Sequence, residues 1–303
     1  MTRPVPATLF SPLRLGAFAL AHRVVMPAMS RRQASAAGVP SATMARYYGA
    51  RATAGGMIIC EASAVAQHAA RPHAPGLFTA EQVNHWQQVT RAVHERGGIV
   101  LAQLDHGSRW TCADDDAPHR DDAALDTAML AYRNAAEHAG DAGFDGVELL
   151  VAHGALPEPV RHPDGPGDEF LVALTGTLSN VWGSDRVGIC VSPGDDAHAR
   201  AGYTEKVRTL HRAAFAFVHV MDEVSASSSR ASVALRPASP DGLLVSGGHT
   251  RATAIASVES GEADAVGFGR AFVANPDLVD RLRTGAALAP IDAVTPWPDD
   301  APR

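Results

Sequence analysis

Three stretches of this 303-residue chain carry side chains able to do chemistry. In GFDGVELLVAHGALPEPV, Gly143–Val160, a turn runs into a short apolar segment, Gly146–Leu150, that breaks at His153-Gly154. A buried parallel strand that delivers a side chain to a working surface has this form. His153 is the titratable group expected there, before Glu158; an imidazole can polarise a carbonyl oxygen or move a proton near neutral pH. The second and third stretches are Ser246-Gly247-Gly248-His249 and Gly267-Phe268-Gly269-Arg270. Glycines let backbone N–H groups approach phosphate oxygens, and a guanidinium pairs with them bidentately. Two such loops in succession point to a phosphate-bearing ligand. His106 and Arg109 read as a rim pair hydrogen-bonded to loops, and Asp114-Asp115-Asp116 as a solvated loop. No G-x-S-x-G or H-E-x-x-H motif is present and the cysteines have no metal-type spacing, so no metal site is expected.

The elements that must position these groups follow a rhythm. Short apolar runs at His22–Met26, Gly56–Cys60, Ile99–Gln103, Gly146–Leu150, Gly188–Ser192, Phe217–Val220, Leu243–Ser246 and Ala265–Phe268 read as strands. Helix-like segments alternate with them: Ser41–Thr53, Ala80–Arg96, Leu125–Ala142, Glu169–Val181, Tyr203–Ala214, Ser228–Leu235, Thr250–Ser260 and Pro276–Thr284. Near-continuous apolar strands, each followed by a helix, predict an α/β fold of the closed (β/α)8 TIM barrel type, with chemistry at the carboxyl ends of the strands. A doubly wound open sheet is the runner-up, but no G-x-G-x-x-G follows the first strand. One domain is expected over residues 1–289, followed by a Pro-rich tail, 290–303.

Composition narrows the class. Hydrophobic residues make up 46% and charged residues 19%, and the net charge of -7 argues against nucleic-acid or anionic-membrane partners. No run of transmembrane length and no signal-peptide core is seen. Cys60, Cys112 and Cys190 form no disulfide framework, which fits a cytoplasmic location.

Several segments taken in order carry a family resemblance. LFSPLRLGAFALAHRVVMPAMSR (Leu9–Arg31), YYGARATAGGMIICEASAV (Tyr47–Val65), QLDHGSR (Gln103–Arg109), GFDGVEL (Gly143–Leu149), DRVGICVSP (Asp185–Pro193) and GEADAVGFGRAFVANPDL (Gly261–Leu278) resemble the Old Yellow Enzyme family of FMN-dependent ene-reductases. The resemblance implies the same barrel, bound FMN, and NADPH or NADH as reductant for an α,β-unsaturated carbonyl compound. It also implies a flavin-binding set: Pro27, Ala28, Met29 and Ser30; Ala62; Gln103 at the pyrimidine edge; Cys190; and Ser246, Gly247, Gly248, Gly269 and Arg270 around the phosphate.

Three departures qualify it. Leu150 stands where the family has the first carbonyl-gripping histidine, His153 holds the second such position, and Ala155 replaces the proton-donating tyrosine. Sliding the motif by three residues leaves Leu156 and Glu158 in the partner positions and makes it no richer. Cys190 stands where an arginine supports the reduced flavin, and a thiol brings no positive charge. The segment after the fourth strand is contracted to Pro157–Asp168, so the active-face loops are short. The expectation is a divergent family member with ene-reductase activity weak or lost, suited to a specialised biosynthetic pathway. Its expected partner is a small unsaturated carbonyl or polyene, with a homodimer as a possible assembly. A non-redox catalyst (cyclase, isomerase or dehydratase) using the same pocket, or a non-catalytic member, remains the alternative.

Overall fold

In a computed structural model, residues 8–107, 122–152, 167–193, 197–222, 230–239 and 242–290 are described. His153, Ala155, Glu158, Arg109, Cys112 and the tail beyond residue 290 lie outside them. An antiparallel hairpin, β1 (Leu13–Leu15) and β2 (Phe18–Leu20), comes first. Then follow β3 (Val24–Met26), α1 (Ala42–Arg51), β4 (Met57–Ile59), the short β5 (Ser63–Ala64), α2 (Ala80–His94), β6 (Ile99–Asp105), α3 (Asp122–Asp141) and β7 (Gly146–Leu150). The second half comprises α4 (Gly167–Trp182), β8 (Val187–Val191), α5 (Ala197–Leu210), β9 (Phe217–Met221) and α6 (Ala231–Leu235). It ends with β10 (Leu243–Ser246), α7 (Arg251–Glu259), β11 (Ala265–Gly267), α8 (Gly269–Ala274) and α9 (Leu278–Thr284). β3, β4 and β6 to β11 pair in parallel, each with its neighbour, and β11 returns to β3. This is the predicted closed eight-stranded barrel. None of the described helices is long and apolar enough to cross a membrane.

Strand alternation sorts the core into two parts. Val24, Ile58, Ala102, Leu149, Ile189, Val218, Val245 and Val266 face outward and pack with the helices. Val25, Met57, Ile59, Leu101, Phe217, Leu244 and Ala265 face inward, together with Leu15, Phe18 and Leu20 of the hairpin, which plugs the amino-terminal end. Space there is rationed by glycine: a Cβ on Gly188 would lie 2.3 Å from the Phe217 ring, and one on Gly146 would lie 2.8 Å from Phe18. The helices start where side chains satisfy orphan backbone groups: Ser41 accepts from Met44 N, and Thr79 with Gln82 closes a capping box on α2. The buried Arg51 donates to the Phe272 and Val273 carbonyls, both at 2.8 Å, and so ties α1 to the last turn of α8.

Candidate active site

Directly above the apolar plug, the inward positions turn polar. Gln103 of β6, Glu148 of β7, Cys190 of β8, His219 of β9 and Ser246 of β10 are all buried. Glu148 accepts from Gln103 Nε2 on one carboxylate oxygen (2.7 Å), and His219 Nδ1 lies 2.9 Å from the other. The second imidazole nitrogen, Nε2, lies 2.8 Å from Ser246 Oγ. A carboxylate deprived of water needs such donors, because an unpaired buried polar group costs about 1–3 kcal/mol and a charged one more. The Cys190 thiol is pushed well above the usual thiol range by burial first and by Glu148 second. Its sulfur stays with Leu150 and Ala152 in an apolar cluster edged by Ala62 and Met221.

Beside this layer, at the carboxyl ends of the strands, opens a cavity of about 390 Å³. Pro27, Ala28 and Met29 line it from the loop after β3, Ser192, Met221 and Asp222 from β8 and β9, and Ser246 to His249 and Gly267 to Ala271 from the last two units. Gly247 is irreplaceable on steric grounds: at φ 116° its Cβ would fall 1.8 Å from the Asp222 carbonyl oxygen. Gly248 follows at φ 58°, so two successive peptide groups turn along the cavity wall. Asp222, beside Gly247, anchors this wall by accepting from Ala231 N (2.8 Å) and Ser232 Oγ (2.8 Å) at the start of α6. Arg270 is exposed at the rim.

His249 belongs to the cavity wall, and Arg230, which the sequence reading did not name, bonds to that wall. Arg230 Nη1 donates to the Gly247 carbonyl (3.0 Å) and to His249 Nε2 (3.1 Å). Burial first, then the Arg230 charge, lower the His249 pKa to about 4, so its ring is neutral at physiological pH. With Nε2 accepting, the ring proton sits on Nδ1, a buried donor with no hydrogen-bond partner among the described residues. An anion in this cavity would supply the missing acceptor.

The loop behind Met29 is anchored by a buried acid. Glu61 accepts from Arg31 N at 2.9 Å and receives the Tyr48 hydroxyl at 3.4 Å, while its own N–H donates to that hydroxyl oxygen at 3.0 Å. Burial outweighs these bonds and raises the Glu61 carboxyl to about 7. His106, at the end of β6, lies 3.1 Å from His68 across their Nε2 atoms and is held near 4 by burial and by that neighbour.

The expected residues therefore divide in space. Pro27, Ala28, Met29, Ser246, Gly247, Gly248, Gly269 and Arg270 line one cavity. Gln103, Ala62 and Cys190 stand in the adjoining barrel interior, linked to it through Met221 and the hydrogen-bond chain to Ser246. Ser30 is exposed and outside the cavity lining. Glu148 and His219 escaped the sequence reading, although each is the lone titratable residue at an inward position of an apolar strand, GVELL and FVHVM.

The fold is of the TIM-barrel class, with a glycine-walled cavity after its last two strands, the place where such barrels frequently bind phosphate groups. The profile of the NADH:flavin oxidoreductase / NADH oxidase family matches residues 8–131. Over 367 aligned positions the chain is 32% identical to 12-oxophytodienoate reductase 7 of Oryza sativa subsp. japonica, covering 95% of this chain and 92% of the relative. Since the chain has 303 residues, that relative carries insertions which this one lacks. The Old Yellow Enzyme homologue from Zymomonas mobilis superposes with a TM-score of 0.83 at 28% identity, over 93% of this chain and 94% of that one. Morphinone reductase in complex with tetrahydroNAD gives 0.82 at 28% identity, over 95% and 93%. The chain belongs to the Old Yellow Enzyme family of FMN-dependent NAD(P)H oxidoreductases.

Proposed function

We propose that the chain acts on an α,β-unsaturated carbonyl compound, or a related polyene, in a specialised biosynthetic pathway, with ordinary ene-reductase turnover weak. The family supplies the cofactor class, and the residues present fit it. The observation that carries this fit is the cavity wall, where the Gly247–Gly248 backbone, the unpartnered Nδ1–H of His249 and the exposed Arg270 surround space for a phosphate. Gln103 is the pyrimidine-edge residue in this reading; its Nε2 is committed to Glu148, so the amide is held in one orientation. When bound, FMN supplies hydride transfer from a nicotinamide to an activated alkene.

Weak turnover follows from what surrounds the substrate end. Leu150 is buried in an apolar cluster with Ala152 and Cys190, so this part of the barrel mouth offers no donor to a carbonyl. His153, three positions beyond β7, is the proposed carbonyl donor, and Ala155 provides no acid beside it. The same apolar floor favours a second reading, a non-redox rearrangement of a reactive enone or polyene in the old carbonyl pocket. Steady-state NADPH and NADH oxidation with cyclohexenone tests the choice, with the visible spectrum of the purified protein recorded alongside. The expected result is a flavin band with slow turnover that falls further in His153→Ala. Fast turnover by the unaltered protein, undiminished in that variant, would remove His153 from the mechanism.

A further inference from the structure

The polar layer contains a constellation that hydride transfer does not call for. Ser246 Oγ lies 2.8 Å from His219 Nε2, and His219 Nδ1 lies 2.9 Å from Glu148 Oε1. The three side chains come from β10, β9 and β7, and no sequence motif links them. The order hydroxyl, Nε2, Nδ1, carboxylate is that of a serine nucleophile, its base and the acid that orients the base, an arrangement recognised by geometry and found on unrelated folds. Three features make it more than a satisfied buried network. Ser246 is the one member that lines the cavity, whereas His219 and Glu148 are sealed from solvent. Gln103 holds the second oxygen of Glu148, which leaves the first for Nδ1–H and fixes the tautomer with Nε2 as acceptor. The Gly247 and Gly248 peptides turn along the same wall immediately beyond the serine, where N–H groups would polarise an acyl oxygen.

We propose that Ser246, His219 and Glu148 form an activated-serine relay through which the flavin-free chain transfers acyl groups from short carboxylic esters to water. Ser246 Oγ attacks the ester carbonyl carbon as its proton passes to His219 Nε2. Collapse breaks the bond to the leaving alkoxide, which takes that proton and departs as the alcohol. Water then gives a proton to the same nitrogen and attacks the acyl-serine, releasing the carboxylic acid and restoring the hydroxyl. Pro27, Ala28, Met29 and Phe268 give the cavity the apolar lining a short acyl chain requires. FMN and the ester share this space, so each excludes the other.

The test uses a fluorophosphonate probe and p-nitrophenyl butyrate on the purified protein at measured flavin occupancy, and on Arg270→Ala, whose flavin occupancy is lower if Arg270 holds the phosphate as proposed above. Intact-mass and peptide mapping should place one adduct on Ser246, in proportion to the flavin-free fraction. Labelling and ester turnover should vanish in Ser246→Ala and fall about 100-fold or more in His219→Gln, the scale of losing a general base. Glu148→Gln, which keeps hydrogen-bonding atoms while losing the carboxylate, should slow both without changing the melting temperature by much. Absence of a Ser246 adduct in flavin-free protein would overturn the proposal, as would equal rates in a folded His219→Gln. Stoichiometric zinc in the purified protein, lost in Cys190→Ser, would also overturn it, because Glu148, Cys190 and His219 offer ligand atoms within 4.8 Å of one another and a metal would take the base. Unchanged flavin affinity in Arg270→Ala would refute the phosphate role of Arg270 alone, and labelling would still be set against the measured occupancy.

Discussion

Replacing Glu61 by Gln should remove a pH dependence from folding that the native chain carries between about pH 4.5 and 7. Glu61 is 1% exposed and holds the Arg31 amide, hence the loop that brings Met29 to the cavity. Its carboxyl is raised from 4.5 to about 7, so the native state binds the proton more tightly than the unfolded chain does. Stability linked to this proton is complete below pH 4.5, declines as pH rises toward 7, and levels off above it. At about 1.4 kcal/mol per tenfold change in proton affinity, the full loss is roughly 3 kcal/mol. Glutamine keeps an acceptor for Arg31 N and cannot ionise, so its own curve should lack this slope. Urea unfolding of both proteins between pH 4 and 8 measures the difference. The variant should gain on the native chain by roughly 3 kcal/mol across the window. Parallel stability curves would show that Glu61 does not exchange its proton on unfolding and would refute the reasoning.

Other perturbations address the site itself. Arg270→Ala should lower FMN affinity at least tenfold, read by flavin fluorescence on titration, because a phosphate loses a charge-assisted partner worth about 1.5–3 kcal/mol. His249→Phe should weaken FMN binding without loss of fold, since it deletes the unpartnered Nδ1–H while keeping ring volume. Cys190→Arg would place a guanidinium next to Glu148 and should raise the midpoint potential of bound flavin against a reference dye; equal potentials would assign charge support to another group. Leu150→His combined with Ala155→Tyr should raise the rate of enone-dependent NADPH oxidation by about 10²–10⁴-fold if a donor and an acid are what the native site lacks.

The barrel was legible because a parallel strand covered on both faces needs apolar residues at nearly every position. All eight expected runs are strands, within two residues at either end. Helix starts were less legible: α5 begins at Ala197, six residues before the amphipathic pattern became visible at Tyr203. The hairpin was missed because LRL and FAL are too short to display an alternation, and their inward residues acquire meaning only as the plug under Phe217. α8 was missed because GRAFVA follows the glycines at once, and its last turn is held by Arg51 from a distant helix. In the site, the glycine loops that line the cavity were readable because glycine at positive φ leaves a compositional mark. The Glu148–His219–Ser246 chain was not, because chain order separates its members by 71 and 27 positions and only barrel closure brings them together.

That chain also shows how Glu148 is held beside a thiol at position 190. Removing a cation from beside a buried carboxylate normally leaves an uncompensated charge, a loss on the order of 3–5 kcal/mol. Here Glu148 keeps a donor on each oxygen, Gln103 on one and His219 on the other. Neither donor carries a fixed positive charge, so the carboxylate is satisfied locally and the barrel mouth above it lacks the field an arginine at position 190 would project. Hydrogen bonding satisfies the carboxylate and adds no charge to the barrel mouth. The consequence is directional: substitutions that disturb Gln103 or His219 should destabilise this chain more than they would a Cys190→Arg variant with a guanidinium beside the same acid. Cys190→Arg should relieve that dependence, so the stability loss of His219→Gln should be smaller in the Cys190→Arg background. A double-mutant cycle by urea unfolding reads this coupling directly, and strictly additive losses would mean that position 190 and His219 do not share the task of holding Glu148.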